Sequence, residues 1–104
     1  MKRNENQIPR LAGTERLILG LLVGNGEMYG LEMVRHSEGA LKRGTIYVTL
    51  NRMEEKGLVE SHKESTPADS QALPRRKYRA SGFGVRVLRA WEIAGASMAE
   101  EGAF

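Results

Sequence analysis

Residues Gly44 to Val59 constrain the fold of this chain more than any other stretch. At 100° per residue, Ile46, Leu50 and Met53 fall on one stripe, spaced i, i+4, i+7. The opposite face carries Gly44, Val48, Asn51, Arg52 and Glu55, with Thr45 and Tyr47 on the flanks. Gly57 stands where a helix ends on a residue at positive φ, and Lys56 complements the negative end of the dipole. Leu58 and Val59 then open an extended segment. The spacing predicts a helix that stops at a glycine and passes directly into a strand. Alone, such a segment reads more readily as an ordinary amphipathic surface helix, so its neighbours decide.

Those neighbours form a recognisable order. Thr14 is the expected N-cap of a first helix over roughly 14–24, with Glu15 in its first turn and Leu17, Ile18, Leu21 and Leu22 on one face. Gly24-Asn25-Gly26 breaks it. A second helix starts near Tyr29 or Gly30, turns Leu31 and Val34 inward with Met33 beside Tyr29, and ends around Gly39. The turn Ala40 to Arg43 leads into the third. Two strands follow, roughly Val59 to Lys63 and Lys77 to Ala80. The intervening Glu64 to Pro74, with Ser65, Pro67, Asp69, Ser70 and Pro74, reads as a long mobile loop. Three short helices and a basic two-stranded ribbon make a winged helix-turn-helix, with the third helix as the recognition helix.

Ser81 can cap a fourth helix of about twenty residues. Phe83, Val87, Trp91, Ala94 and Met98 share its apolar stripe, bordered by Leu88 and Ala90. The stripe runs for four turns, more than a small winged helix can cover. Val87, Trp91, Ala94 and Met98 are therefore expected to face a second copy of the chain. The fold class is mainly α (α+β). The expected organisation is an N-terminal arm at 1–13, a winged-helix DNA-binding domain at 14–81 and a C-terminal dimerisation helix at 82–104.

Composition narrows the function classes. At 104 residues the chain is one domain with a modest core, and it has no cysteine for disulfides or thiolate metal sites. Met1 to Gly13 lacks the apolar stretch of a signal peptide, and Leu17 to Val23 is too short to span a bilayer. A cytoplasmic protein is expected. His36 and His62 lie in different elements without a second ligand at metal-binding spacing. Adjacent acids such as Glu54-Glu55 and Glu100-Glu101 diverge around a helix, and no phosphate loop or activated nucleophile occurs. The expectation is no enzyme, no metal and no cofactor.

The net charge of +3 and the pI of about 9.5 permit a nucleic-acid partner. The placement of the charge says more. Lys42 and Arg43 abut the recognition helix, and Arg75, Arg76, Lys77 and Arg79 cluster in the last third. Asn51 and Arg52 are the candidates for base edges, since Asn pairs with adenine and Arg with guanine; for Arg52 the alternative is a phosphate contact or a salt bridge to Glu55. Thr45, Tyr47 and Thr49 suit phosphate contacts at a helix start and edge. Lys42, Arg43, Lys63, Arg75, Arg76 and Lys77 would supply non-specific attraction.

At this point the residues resemble a family. Leu17-Ile18-Leu19, Tyr29-Gly30-Leu31-Glu32-Met33, the whole of Gly44 to Val59, and Arg75-Arg76-Lys77-Tyr78-Arg79-Ala80-Ser81-Gly82-Phe83-Gly84 are similar to the PadR family of bacterial transcriptional regulators. The resemblance spans roughly residues 14–90 and implies a homodimeric repressor. Such a repressor binds an inverted-repeat operator with the third helix and wing, dimerises through a C-terminal helix and in some members answers small aromatic effectors. By position, Tyr47 matches the family's recognition-helix tyrosine. Gly44 and Thr45 match its helix start, and Tyr29-Gly30 matches the pair opening its second helix, which adds Tyr29 to the expected DNA contacts. Arg43 and Val48 stand where the family often has proline; Val48 could touch a thymine methyl. Trp91, the only tryptophan, either fills the core of the interface or is the effector contact, since two copies could meet around a flat ligand. The alternative is a winged-helix protein-interaction module without operator binding.

Overall fold

The computed structural model describes residues 10–64 and 75–101, the last six of them by backbone alone. The elements run α1 (Gly13–Asn25), β1 (Met28–Tyr29), α2 (Gly30–His36), α3 (Ile46–Glu55), β2 (Val59–Lys63), β3 (Arg76–Ala80) and α4 (Gly82–Glu101). Most of the expected arm, the body of the expected mobile loop and the Met98 side chain lie outside the described residues.

Glu15, rather than Thr14, organises the start of α1. Its carboxylate accepts from the Ala12 backbone N–H at 2.9 Å, half of a capping box reaching back from the third helical position. Lys56 donates to the other oxygen at 2.9 Å, so the buried carboxylate also ties α1 to the end of α3. Thr14 is exposed inside the helix. Gly26, at φ 79°, ends α1. In α2, Met33 rather than Leu31 takes the inward position: Met33 is fully buried and Leu31 is exposed. The reason is a change of phase. Tyr29 is extended and caps the helix instead of joining it, so the inward face is counted from Gly30.

The third helix follows the sequence expectation closely. It begins at Ile46, with Gly44 in the preceding turn, and buries Ile46, Leu50 and Met53. Each such burial contributes about 1.5–3 kcal/mol. Its end is a Schellman motif: Leu58 N–H donates to the Met53 carbonyl at 2.9 Å and Gly57 N–H to the Glu54 carbonyl at 3.0 Å, with Gly57 at φ 77°.

The sheet has three antiparallel strands in the order β1-β3-β2, not two. Met28 and Tyr29 pair with Tyr78 and Lys77. Two residues carry no alternation to read, so β1 is set by the exposed edge of β3 rather than by its own sequence. Tyr78 is buried at the centre of the sheet.

The first turns of α4 close the same core. Val87 and Leu88 join Ile18, Leu19 and Met33 in one cluster, with Phe83 and Trp91 packed against it. Val87, expected at a dimer seam, is 4% exposed within its own chain and is not available to a partner. Its turn of α4 lies over α1, where the core needs a lid. Among the described residues no helix is long and apolar enough to cross a membrane.

Candidate nucleic-acid interface

The outward face of α3 presents Val48, Asn51, Arg52 and Glu55, all exposed, and Val48 at 60% is its barest apolar residue. This exposure follows from the phase that buries Ile46, Leu50 and Met53. Among the described residues no ion pair engages Arg52, so its guanidinium is not held by Glu55. Thr49 is half-buried and its hydroxyl donates back to the Thr45 carbonyl at 3.2 Å, so its one proton is already engaged and is not presented to a phosphate oxygen. Thr45 sits at the helix start without capping it through its side chain. Lys42 and Arg43 are exposed just before it.

Beside α3 a groove of about 540 Å³ opens between α2, α3 and the wing. Tyr29, Tyr47, Lys63, Arg75 and Arg76, all named from the sequence, meet there. The structure adds Leu31, Glu32, Arg35 and Tyr78. Arg35 gave no sequence signal of its own. It is one more exposed cation in a short helix, and only the crossing of α2 over α3 brings it to the groove. Tyr78 lies at the groove with its ring buried, and burial pushes its phenol above the ordinary tyrosine value.

Tyr29 is the hub of the wing root. Arg75 and Lys77 approach its ring, at 4.9 and 5.2 Å from the centroid. Its hydroxyl donates to Glu64, which also pairs with Lys77 at 3.5 Å. The hydrogen bond from Tyr29 holds the Glu64 carboxyl below its ordinary value, aided by the charge of Lys77 and opposed by desolvation. The same bond, then burial and the negative charge of Glu64, push the Tyr29 phenol up against the opposing cations Lys77 and Arg75.

The cations therefore divide. Lys42, Arg43 and Lys63 are exposed, and Arg75 stands over Tyr29. Arg76 donates to the Ser61 hydroxyl at 3.0 Å. Lys77 is already partnered by Glu64. Arg79 is held by Glu60 through Nε at 3.0 Å and Nη2 at 2.7 Å. His36 and His62 are exposed, and among the described residues no cluster of potential ligands could hold a metal.

On α4, Trp91 and Ala94 are half-buried, and the Arg16 guanidinium lies 5.8 Å from the centroid of the indole. Ile93 is 62% exposed, on the face of α4 that it shares with Arg86 and Arg89 rather than on the stripe.

Four helices and a three-stranded antiparallel sheet, with the β2–β3 ribbon standing beside α3 as a wing, define a winged helix-turn-helix protein. The chain belongs to the transcriptional regulator PadR-like family, whose model matches residues 18–90. Solved structures share the fold. A PadR-like transcription factor from Bacteroides fragilis superposes with a TM-score of 0.73 at 22% identity, over 85% of this chain and 84% of that one. A PadR family regulator from Eggerthella lenta gives 0.69 at 26% identity, over 85% and 76%. PadR of Bacillus subtilis, solved in complex with operator DNA, gives 0.68 at 22% identity, over 78% and 47%. Among curated protein sequences no match is found.

Proposed function

We propose that this chain is a cytoplasmic, sequence-specific DNA-binding repressor that works as a homodimer on an inverted-repeat operator. The observation that carries the reading is the pairing of two surfaces. An α3 face with Asn51, Arg52 and Val48 exposed lies next to a groove whose rim carries Arg35, Lys63, Arg75 and Arg76. The first set has the chemistry to read base edges and the second to neutralise phosphate. Thr45 and Tyr47 lie between them as backbone contacts, with Lys42 and Arg43 behind; Thr49 joins them only by turning its hydroxyl away from the Thr45 carbonyl. Lys77 supports the wing root more than it contributes free charge, because Glu64 already holds it. Membership of a family of transcriptional regulators and a family structure bound to operator DNA support the same reading.

In this reading residues 14–81 form the DNA-binding domain, and α4 serves both that domain and the dimer. Its early turns close the core through Val87 and Leu88. The later turns, from Trp91 through Ala94 to Met98, meet the second copy. Trp91 stands where the core ends and the seam begins, so a planar aromatic effector there would alter the spacing of the two reading helices.

The test is duplex binding as a function of salt. If a dimer neutralises about eight phosphates, the log–log slope is about −7. Arg52→Ala should cost roughly 1–3 kcal/mol and relax sequence preference. A uniform loss across sequences would make Arg52 a phosphate ligand. A flat salt response would favour the interaction-module alternative.

A further inference from the structure

Gly30 opens α2 and is buried, yet its backbone is not at positive φ. Helix geometry does not call for glycine here. The space around it does. A Cβ at position 30 would lie 2.8 Å from Cε1, 3.0 Å from Cζ and 3.2 Å from the hydroxyl oxygen of Tyr47. The three nearest atoms all belong to one phenol side chain. The Tyr47 side chain lies across the first turn of α2, over the one residue that has no side chain to displace it. Tyr47 is 44% exposed and lines the groove with Tyr29, Arg35, Arg75 and Arg76.

We propose that Gly30 is a positioning residue for DNA binding: by omitting a side chain it seats the Tyr47 ring on α2 and holds the phenol at the groove between α3 and the wing, ready to donate to a DNA phosphate. The inference rests on the DNA-binding reading and deepens it. A tyrosine on the flank of a helix is otherwise free to change rotamer, and fixing it in advance removes an ordering cost at binding. A phenol donates one hydrogen bond to a phosphate oxygen and brings no cation, so it does not add to counterion release.

Gly30→Ala separates this role from a structural one. The added methyl must move something, and what it meets is the far end of a side chain beside an open groove. The ring swings out while the fold persists. Alanine also restricts the unfolded chain, so thermal stability should hold or rise. A residue needed only for packing would lose stability first.

The experiment is a double-mutant cycle of Gly30→Ala and Tyr47→Phe in the full chain, read by affinity for a short random-sequence duplex at low salt. Nuclear Overhauser contacts between the Gly30 α-protons and the Tyr47 ring are read alongside. Each single variant should bind roughly three- to tenfold more weakly for each protomer engaged on the duplex, the worth of one hydrogen bond. The double variant should be no weaker than Tyr47→Phe, and the salt slope should be unchanged. The contact should be present in the wild type, and the Tyr47 ring signals should shift in Gly30→Ala. Losses that add, unaltered binding by Gly30→Ala, or a missing contact in the wild type would overturn the proposal. Should the wild type bind no duplex while the contact is present, the DNA-binding reading falls, and the role of Gly30 falls with it.

Discussion

The Ser81 hydroxyl donates to the Gly57 carbonyl at 2.6 Å and accepts from the Gly84 backbone N–H at 2.9 Å. One buried oxygen thus caps α4 and ties its start to the glycine that ends α3. Ser81 N–H adds a bond to the Leu58 carbonyl at 3.0 Å. The helix proposed to read DNA and the helix proposed to dimerise are joined end to start by this residue.

Ser81→Ala removes both side-chain bonds at a buried site. Chemical denaturation should show a loss of about 1–2 kcal/mol. In a domain this small that lowers the melting temperature by about 4–8 °C per kcal/mol. A loss within about 0.5 kcal/mol would mean that water replaces the hydroxyl.

Gly84→Ala should be worse. A Cβ there would collide with the Leu58 carbonyl and meet Leu19 Cδ2 at 3.1 Å. Backbone cannot step aside as a flexible side chain can, so the cost should reach at least about 2 kcal/mol. Gly20→Ala is the control: nothing lies within 4 Å of the added carbon in the middle of α1, and helix propensity gains up to about 1 kcal/mol. Melting curves of the two variants should move in opposite directions.

The Tyr29–Glu64 bond makes a pH prediction with a definite sign. The Glu64 pKa is lowered, so its contribution is complete above the ordinary carboxylate value of about 4.3 and is lost as pH falls through the folded value. The Tyr29 pKa is raised, so its contribution is complete below the ordinary phenol value of about 10 and is lost as pH rises through the folded one. The wing root is latched across the neutral range. Ultraviolet titration, with Tyr29→Phe subtracted, should place the Tyr29 phenolate at higher pH in the wild type than in Glu64→Ala. Coincident curves would show that the bond is not made in solution.

Truncation after Trp91 tests the dimer. It removes Ile93, Ala94 and Met98 but keeps Val87 and Leu88, which complete the core. Sedimentation should report a monomer that still melts cooperatively, with the helical signal reduced by about the half of α4 that is removed. Operator affinity should collapse, because two half-sites about one turn of DNA apart must be held together. An intact truncated dimer would move the interface away from α4.

The sequence by itself determined the elements whose own residues carry the signal. Ile46, Leu50 and Met53 repeat at helical spacing, Gly57 supplies the positive φ at which α3 stops, and Ser81 places an oxygen where α4 needs a cap. These are local constraints, and local chemistry states them in full. Tertiary structure decided what depends on contact between distant residues. Met28 and Tyr29 become a strand only because β3 offers an edge. Val87 faces inward because α1 lies beneath it, though its spacing fits the exposed stripe equally well. Arg35 reaches the groove through the crossing of α2 and α3, and Lys77 loses its freedom to Glu64 across the wing root. Gly30 depends most on tertiary context: no property of glycine in a chain announces the tyrosine, seventeen positions later, that rests upon it. A side chain's periodicity fixes its direction from its own helix, and only the packing of the other elements fixes what it meets there.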